Sequence, residues 1–233
     1  MLTLTPAEWE VIQLSRKVAF WSVLCSLPPA LAIAVLLARC KFPGKSLFDA
    51  VVHLPLVLPP VVIGYCLLLL LGRRGPVGAL LDEYFGIVFA FRWTGAAVAA
   101  GIMGFPLMVR AMRLSIEAID TGLEDAARTL GAPRLRVFLT ITLPLAMPGI
   151  FTGALLSFAR SLGEFGATIT FVSNIPGETR TLPLAIYTLT QVPGGDAAAL
   201  RLSIIAIILS VLALMLSEWL VQRAGRRARG HDD

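Results

Sequence analysis

Blocks of apolar residues near 20 long recur along this chain, and their length constrains the fold more than any other feature. An α-helix rises ~1.5 Å per residue, so about 20 residues cross a hydrocarbon layer ~30 Å thick. Five blocks reach roughly that length: Val18–Ala38, Val51–Leu71, Ile87–Val109, Pro148–Val172 and Ile204–Val221. Hydrophobic residues make up 57% of the chain and charged residues only 15%. A soluble domain carries roughly 25% charged residues, so a water-facing surface cannot be covered. Inside lipid no water satisfies an open backbone group, and each block is therefore expected to be a helix. The expected class is an all-α integral membrane protein, a single membrane domain over residues 1–233. It has five spans, or six if the short, rather polar Leu182–Gln191 segment crosses or re-enters the membrane.

The formal net charge of +5 does not point to nucleic acid. The cations sit between and after the apolar blocks, where membrane orientation accounts for them. The tail carries Arg223, Arg226, Arg227 and Arg229, and the Arg110–Thr142 connection carries five arginines, Arg110, Arg113, Arg128, Arg134 and Arg136. Both are expected in the cytoplasm, as is Arg39–Asp49 with Arg39, Lys41 and Lys45. Asn174–Leu200 holds Arg180 as its one cation and is expected outside, together with the N-terminus. Arg73 and Arg74 then fall outside, against the trend. Arg16 and Lys17 precede a run longer than a signal-peptide core, so the first block reads as a retained helix. Cys25, Cys40 and Cys66 have no metal-type spacing and read as small apolar residues.

The cytoplasmic connection is the most informative segment. Thr121 and Glu124 fit a capping box that starts a helix. Leu123, Ala126, Ala127 and Leu130 then form one apolar stripe. Gly131 suits a left-handed helix end, Pro133 the first turn of a second helix containing Arg134 and Arg136, and Pro144 its end. A helix of about nine residues is not stable alone in water. Its stripe must rest either on the chain's own membrane domain or on a partner.

These residues also carry a resemblance. Asp125, Ala126, Ala127, Gly131, Ile141, Leu143 and Pro144 fill the pattern D-A-A-x3-G-x9-I-x-L-P. It resembles the EAA motif of ABC-importer permeases, with Asp125 in place of the motif's first Glu and Glu124 just before it. The stretches Lys41–Tyr65 and Ser157–Thr188 resemble the molybdate branch of that family, and sulfate and tungstate permeases share much of the pattern. The resemblance implies a type I importer permease fold whose coupling-helix (EAA) loop, about 112–144, engages a separate ATPase. On that loop it assigns Glu124, Asp125, Ala126, Ala127, Gly131, Arg134, Ile141, Leu143 and Pro144 to ATPase coupling. It further implies a homodimer in the bacterial inner membrane, two cytoplasmic ABC ATPase subunits, an external molybdate-binding protein and a cytoplasmic C-terminus.

Inside the membrane, Pro55, Pro59 and Pro60 break helix hydrogen bonding near the start of the second block. This is either a structural kink or a gate. Arg160 and Glu164 stand four apart and can pair on one helix face. They are either mutually satisfied or set beside a translocation path. Gly166, Thr168 and Thr170 follow; their hydroxyls suit weak contacts to a dianion or simple helix–helix bonding. The pattern Gly149–x3–Gly153 reads as close helix packing, and His53 as interfacial. The chain has no GxxxxGK[ST] phosphate loop, no HExxH and no catalytic or metal constellation. It is expected to be neither an enzyme nor a cofactor protein, with ATP hydrolysed by a partner. The same-class alternatives are sulfate, thiosulfate or tungstate permeases. A secondary transporter, the other class, would often show internal repeats, and none is visible.

Overall fold

A computed structural model describes residues 4–229, with side chains described as far as residue 216 and at Trp219. Every element among the described residues is helical, as hydrocarbon requires of a spanning chain. Helix α1 (Pro6–Arg39) begins well before the apolar block. A capping box at its start explains this: Glu8 N–H donates to Thr5 Oγ1, and Thr5 N–H donates to Glu8 Oε2 at 2.8 Å. The four C-terminal arginines lie in α11, with their side chains outside the described residues.

The second block is not one straight span. It divides into α2 (Lys45–Val57) and α3 (Pro60–Leu71), which meet at 111°. Proline disfavours helical backbone in the residue before it. Leu58 is accordingly extended, and Pro59 (ψ 132°) carries the turn into α3. A short helix that the sequence reading passed over, α4 (Pro76–Phe85), follows and ends at Gly86 in the left-handed region (φ 64°).

The third block is displaced. Helix α5 runs Trp93–Glu117, not Ile87–Val109, so the connection expected in the cytoplasm starts at Ala118 rather than near residue 112. It comprises α6 (Thr121–Thr129), α7 (Arg134–Val137) and a π-helical turn (Phe138–Thr142) that leads straight into α8 (Leu143–Leu162). Pro144 therefore does not end a helix. It lacks an N–H to donate, and the wider π-turn just before it lets the helix continue, with Leu143 N–H bonding Phe138 O.

The fourth block also breaks, after Leu162, before α9 (Gly166–Val172). The Leu182–Gln191 segment forms α10 (Leu182–Thr190), too short to span. Helix α11 (Asp196–Arg229) is the last. Among the described residues, four helical stretches are long and apolar enough to cross a membrane, or five with the bent α2–α3 pair.

α5 lies at the centre, against α1 and α8. Gly149 and Gly153 allow this: a Cβ on Gly153 would stand 2.9 Å from Met108 O, and one on Gly149 2.9 Å from Ala111 O. The ends sort onto two faces. On one, Arg201 pairs with Glu8 at 2.8 Å, Lys17 Nζ lies 3.7 Å over the Trp93 ring, and Leu182 N–H donates to Ser15. On the other, Arg39 reaches Ile119 O and Arg113 reaches Asp49. The segments expected outside thus share one face with the N-terminal end of α1. The Arg39–Asp49 segment and the connection after α5, both expected in the cytoplasm, meet at the opposite face.

Candidate functional site

The connection after α5 builds a rigid two-sided element. Its first helix is capped by Asp120, not Thr121: the Asp120 carboxylate accepts from Gly122 N–H at 2.8 Å. The capping-box reading fails because Glu124 is used elsewhere. Glu124 is only 5% exposed and turns inward. Its Oε1 accepts from Arg39 Nη2 at 3.0 Å and from Thr142 Oγ1 at 2.7 Å. Arg39 Nη2 also reaches Ile119 O at 3.4 Å. One buried carboxylate therefore joins the end of α1, the start of the loop and the π-turn.

The apolar stripe faces the other way. Leu123 is 51% and Leu130 89% exposed. Ala126 is exposed and Ala127 partly so. Asp125 is exposed and lies 3.4 Å from Arg128. The two adjacent acids are thereby separated in role: Glu124 anchors inward and Asp125 points out. Gly131 closes the helix at φ 86°, with Gly131 N–H on Arg128 O at 2.9 Å and Ala132 N–H on Ala127 O at 3.1 Å. This is a Schellman end, which a left-handed residue makes possible. Pro133 is the N-cap of α7 rather than part of its first turn. Arg134 is exposed at the start of α7, Ile141 is partly buried in the π-turn, and Pro144 is exposed. Leu143 packs on the Met112–Ile116 core. The stripe therefore finds no rest on its own membrane domain.

The intramembrane residues come together at the two helix breaks. Glu164 sits between α8 and α9, not inside a continuous span, and is 2% exposed. Its Oε2 lies 2.8 Å from Arg160 Nη1, and its Oε1 accepts from Ala167 N–H at 2.8 Å. The carboxylate thus neutralises the arginine at ion-pair distance, with Oε2 taking no hydrogen bond, and accepts from an open donor at the start of α9 through Oε1. A Cβ on Gly166 would lie 2.9 Å from Pro60 Cβ, and one on Gly64 2.5 Å from Ala167 O. The α2–α3 bend is therefore seated against the α8–α9 break through small residues. Pro59 is the N-cap of α3. Thr168 is buried, and Thr170 Oγ1 donates to Gly166 O at 2.9 Å within its own helix.

Sequence reasoning missed Arg39 and Thr142 as site residues, because their partner lies 85 and 18 residues away. It also missed the serines between α1, α5 and α8. Ser22 Oγ donates to Ser161 Oγ at 3.0 Å, and Ser161 to Ala100 O at 3.4 Å. Polar residues inside an apolar block were the available signal. His53, expected at the interface, lies 3.2 Å from Asp49, which Arg113 contacts at 3.1 Å.

A bent span, a broken span and a short loop helix with an outward-facing apolar stripe are brought together in one membrane-type helical fold. The chain belongs to the family described as "Binding-protein-dependent transport system inner membrane component", which matches residues 30–226. It is similar to the protein named Molybdenum transport system permease protein ModB of Escherichia coli (strain K12), with 62% identity over 97% of this chain and 100% of that one. It is less similar to the Sulfate transport system permease protein CysW of Synechococcus elongatus, at 38% identity over 95% of this chain and 77% of that one. Its fold is similar to that of a chain in the crystal structure of a bacterial alginate ABC transporter in complex with a pentasaccharide-bound periplasmic protein. The TM-score is 0.74 at 17% identity, covering 95% of this chain and 81% of the other.

Proposed function

We propose that this chain is the permease subunit of a molybdate importer, working as a homodimer with two cytoplasmic ABC ATPase subunits and an external binding protein. The observation that carries the importer reading is the exposed Leu123–Leu130 stripe on a helix anchored from behind by Glu124. Such a helix offers an ATPase a small apolar ridge, flanked by Asp125 and Arg134, whose position is fixed relative to α1 and α8. Docking there puts α6 in the cytoplasm. The C-terminus follows, because α11 starts on the opposite face with Arg201 beside Glu8 and is long enough, at 34 residues, to cross. The translocation path runs beside the paired breaks, where Pro59, Pro60, Arg160, Glu164, Gly166, Thr168 and Thr170 lie. A dianion passing this region meets a positive charge already neutralised by Glu164, which favours weak holding over capture.

The choice of molybdate over sulfate follows the similarity to the molybdenum permease, 62% against 38% identity. The anions are similar tetrahedral dianions, and the external binding protein makes the main discrimination. The test is uptake of labelled molybdate into proteoliposomes holding this chain with its ATPase and binding protein, with excess unlabelled sulfate as competitor. ATP-dependent uptake that resists sulfate is expected. Uptake erased by sulfate moves the substrate to the sulfate class. No ATP-dependent uptake of either anion by an assembled complex ends the oxyanion-importer reading.

A further inference from the structure

The coupling helix needs a mechanical connection to the membrane domain, and the structure shows few candidates. Helix α6 packs against α7 and the π-turn, its own neighbours in sequence. Its apolar stripe is unused on this side. The polar link from α6 to α1 is the Arg39–Glu124 pair, 3.0 Å long and spanning 85 residues of sequence. Thr142 adds a second bond, 2.7 Å, from the same carboxylate oxygen to the π-turn at the foot of α8. The carboxylate is buried and the guanidinium largely covered, so water screens the pair far less than a surface ion pair. A short charge-assisted bond in this setting resists stretching more than apolar sliding contacts do.

We propose that Arg39, Glu124 and Thr142 form the strut that transmits coupling-helix movement to α1 and α8. These are positioning residues; they touch neither anion nor nucleotide. Asp125 and the apolar stripe face the ATPase, while Glu124, one residue earlier, holds the same helix to the membrane domain. Movement of α6 then pulls α1 through Arg39 and tilts α8 through Thr142. The far end of α1 is fixed to α11 by the Glu8–Arg201 pair, 2.8 Å long. A pull at Arg39 therefore levers α1 between two ionic anchors rather than sliding it freely.

The inference rests on the importer reading above, and the test separates the two. Uptake and ATP hydrolysis are measured together on the reconstituted complex, and the readout is anion moved per ATP hydrolysed. Uptake by the wild-type complex tests the importer reading. With that in hand, Arg39→Met and Glu124→Gln are each expected to lower the ratio about tenfold in complexes that still co-purify with the ATPase. The charge-reversed double variant, Arg39→Glu with Glu124→Arg, is expected to recover a large part of it, since the Thr142 hydroxyl can turn to accept from the new guanidinium. A merely structural role would instead lower the melting temperature and the yield of assembled complex while leaving the ratio unchanged in the complexes that form. An unchanged ratio in the single variants overturns the strut, as does a double variant as defective as the singles. If the single variants do not assemble, Thr142→Val is read instead. It leaves the ion pair intact and is expected to lower the ratio about threefold; an unchanged ratio there overturns the strut equally.

Discussion

Two of the arginine–glutamate pairs in this molecule, Arg160–Glu164 and Arg39–Glu124, differ in a way that separates what is local from what is not. Arg160 and Glu164 lie one helical turn apart and pair across the end of α8 at 2.8 Å. Arg39 and Glu124 lie 85 residues apart and pair at 3.0 Å across three elements. The first pair stabilises a break inside the membrane. The second fastens the loop helix α6 to the end of a membrane span. Both bury the carboxylate almost completely, so each arginine is needed chiefly because its partner cannot stay charged and alone.

The largest effect is expected at the membrane pair. Glu164→Ala removes the partner of Arg160 and leaves Ala167 N–H without its 2.8 Å acceptor. Breaking a buried pair from one side costs about 3–5 kcal/mol. Transport should fall to background, and the detergent-solubilised protein should melt well below wild type by fluorescence-detected size exclusion. A wild-type melting temperature would show that Arg160 finds water or another acceptor, and the break would then not depend on this carboxylate.

The loop proposed to couple to the ATPase should fail differently, in movement rather than in folding. Gly131 stands at φ 86° with its N–H bonded to Arg128 O. Proline there loses that bond and needs φ near −65°, a cost of about 3 kcal/mol placed on the turn alone. Gly131→Pro should insert normally in the membrane, yet ATP-dependent uptake should vanish. Gly131→Ala, with nothing within 4 Å of the added Cβ, should cost only about 1 kcal/mol of left-handed strain and keep most uptake. Normal uptake by the proline variant would remove the turn from the coupling mechanism.

The same contrast marks what was legible in the sequence. Local chemistry was: Gly131 lies where a left-handed end was expected, Arg160 and Glu164 pair at their helical spacing, and Gly149 and Gly153 admit α5. Apolar length located the spans, because hydrocarbon thickness fixes it. Continuity was harder. Pro59 and Pro60 predicted a kink but not a 111° turn, and Pro144 looked like a stop because a π-turn leaves no mark in composition. Long-range partners were invisible. Arg39 counted only as a topogenic charge, and Glu124 was assigned to Thr121 because a capping box needs only four residues to be proposed. Of the two neighbouring acids, the sequence could not say which faces inward; burial settles it.

The cap of α6 is a smaller test of that correction. Asp120→Ala removes the 2.8 Å acceptor of Gly122 N–H and should cost about 1 kcal/mol. Hydrogen exchange across residues 122–129 should then rise severalfold, while Thr121→Ala leaves it near wild type. The reverse order would restore Thr121 as the cap.

The smallest effect is expected at a pair that resembles the other two only in its charges. Arg73 lies 3.9 Å from Asp82 on the connection between α3 and α4, with both side chains well exposed to solvent. At that distance water and salt screen the attraction, and holding two side chains in register costs entropy. Arg73→Ala should therefore change stability by less than about 0.5 kcal/mol and leave uptake near wild type, in contrast to Glu164→Ala. Arg73 is also, with Arg74, one of the two cations that run against the charge trend of the loops, so a marked loss of uptake would carry a second meaning. The exposed arginine would then be meeting the anion or its binding protein on the outer face. Burial would no longer be what ranks the arginines of this chain.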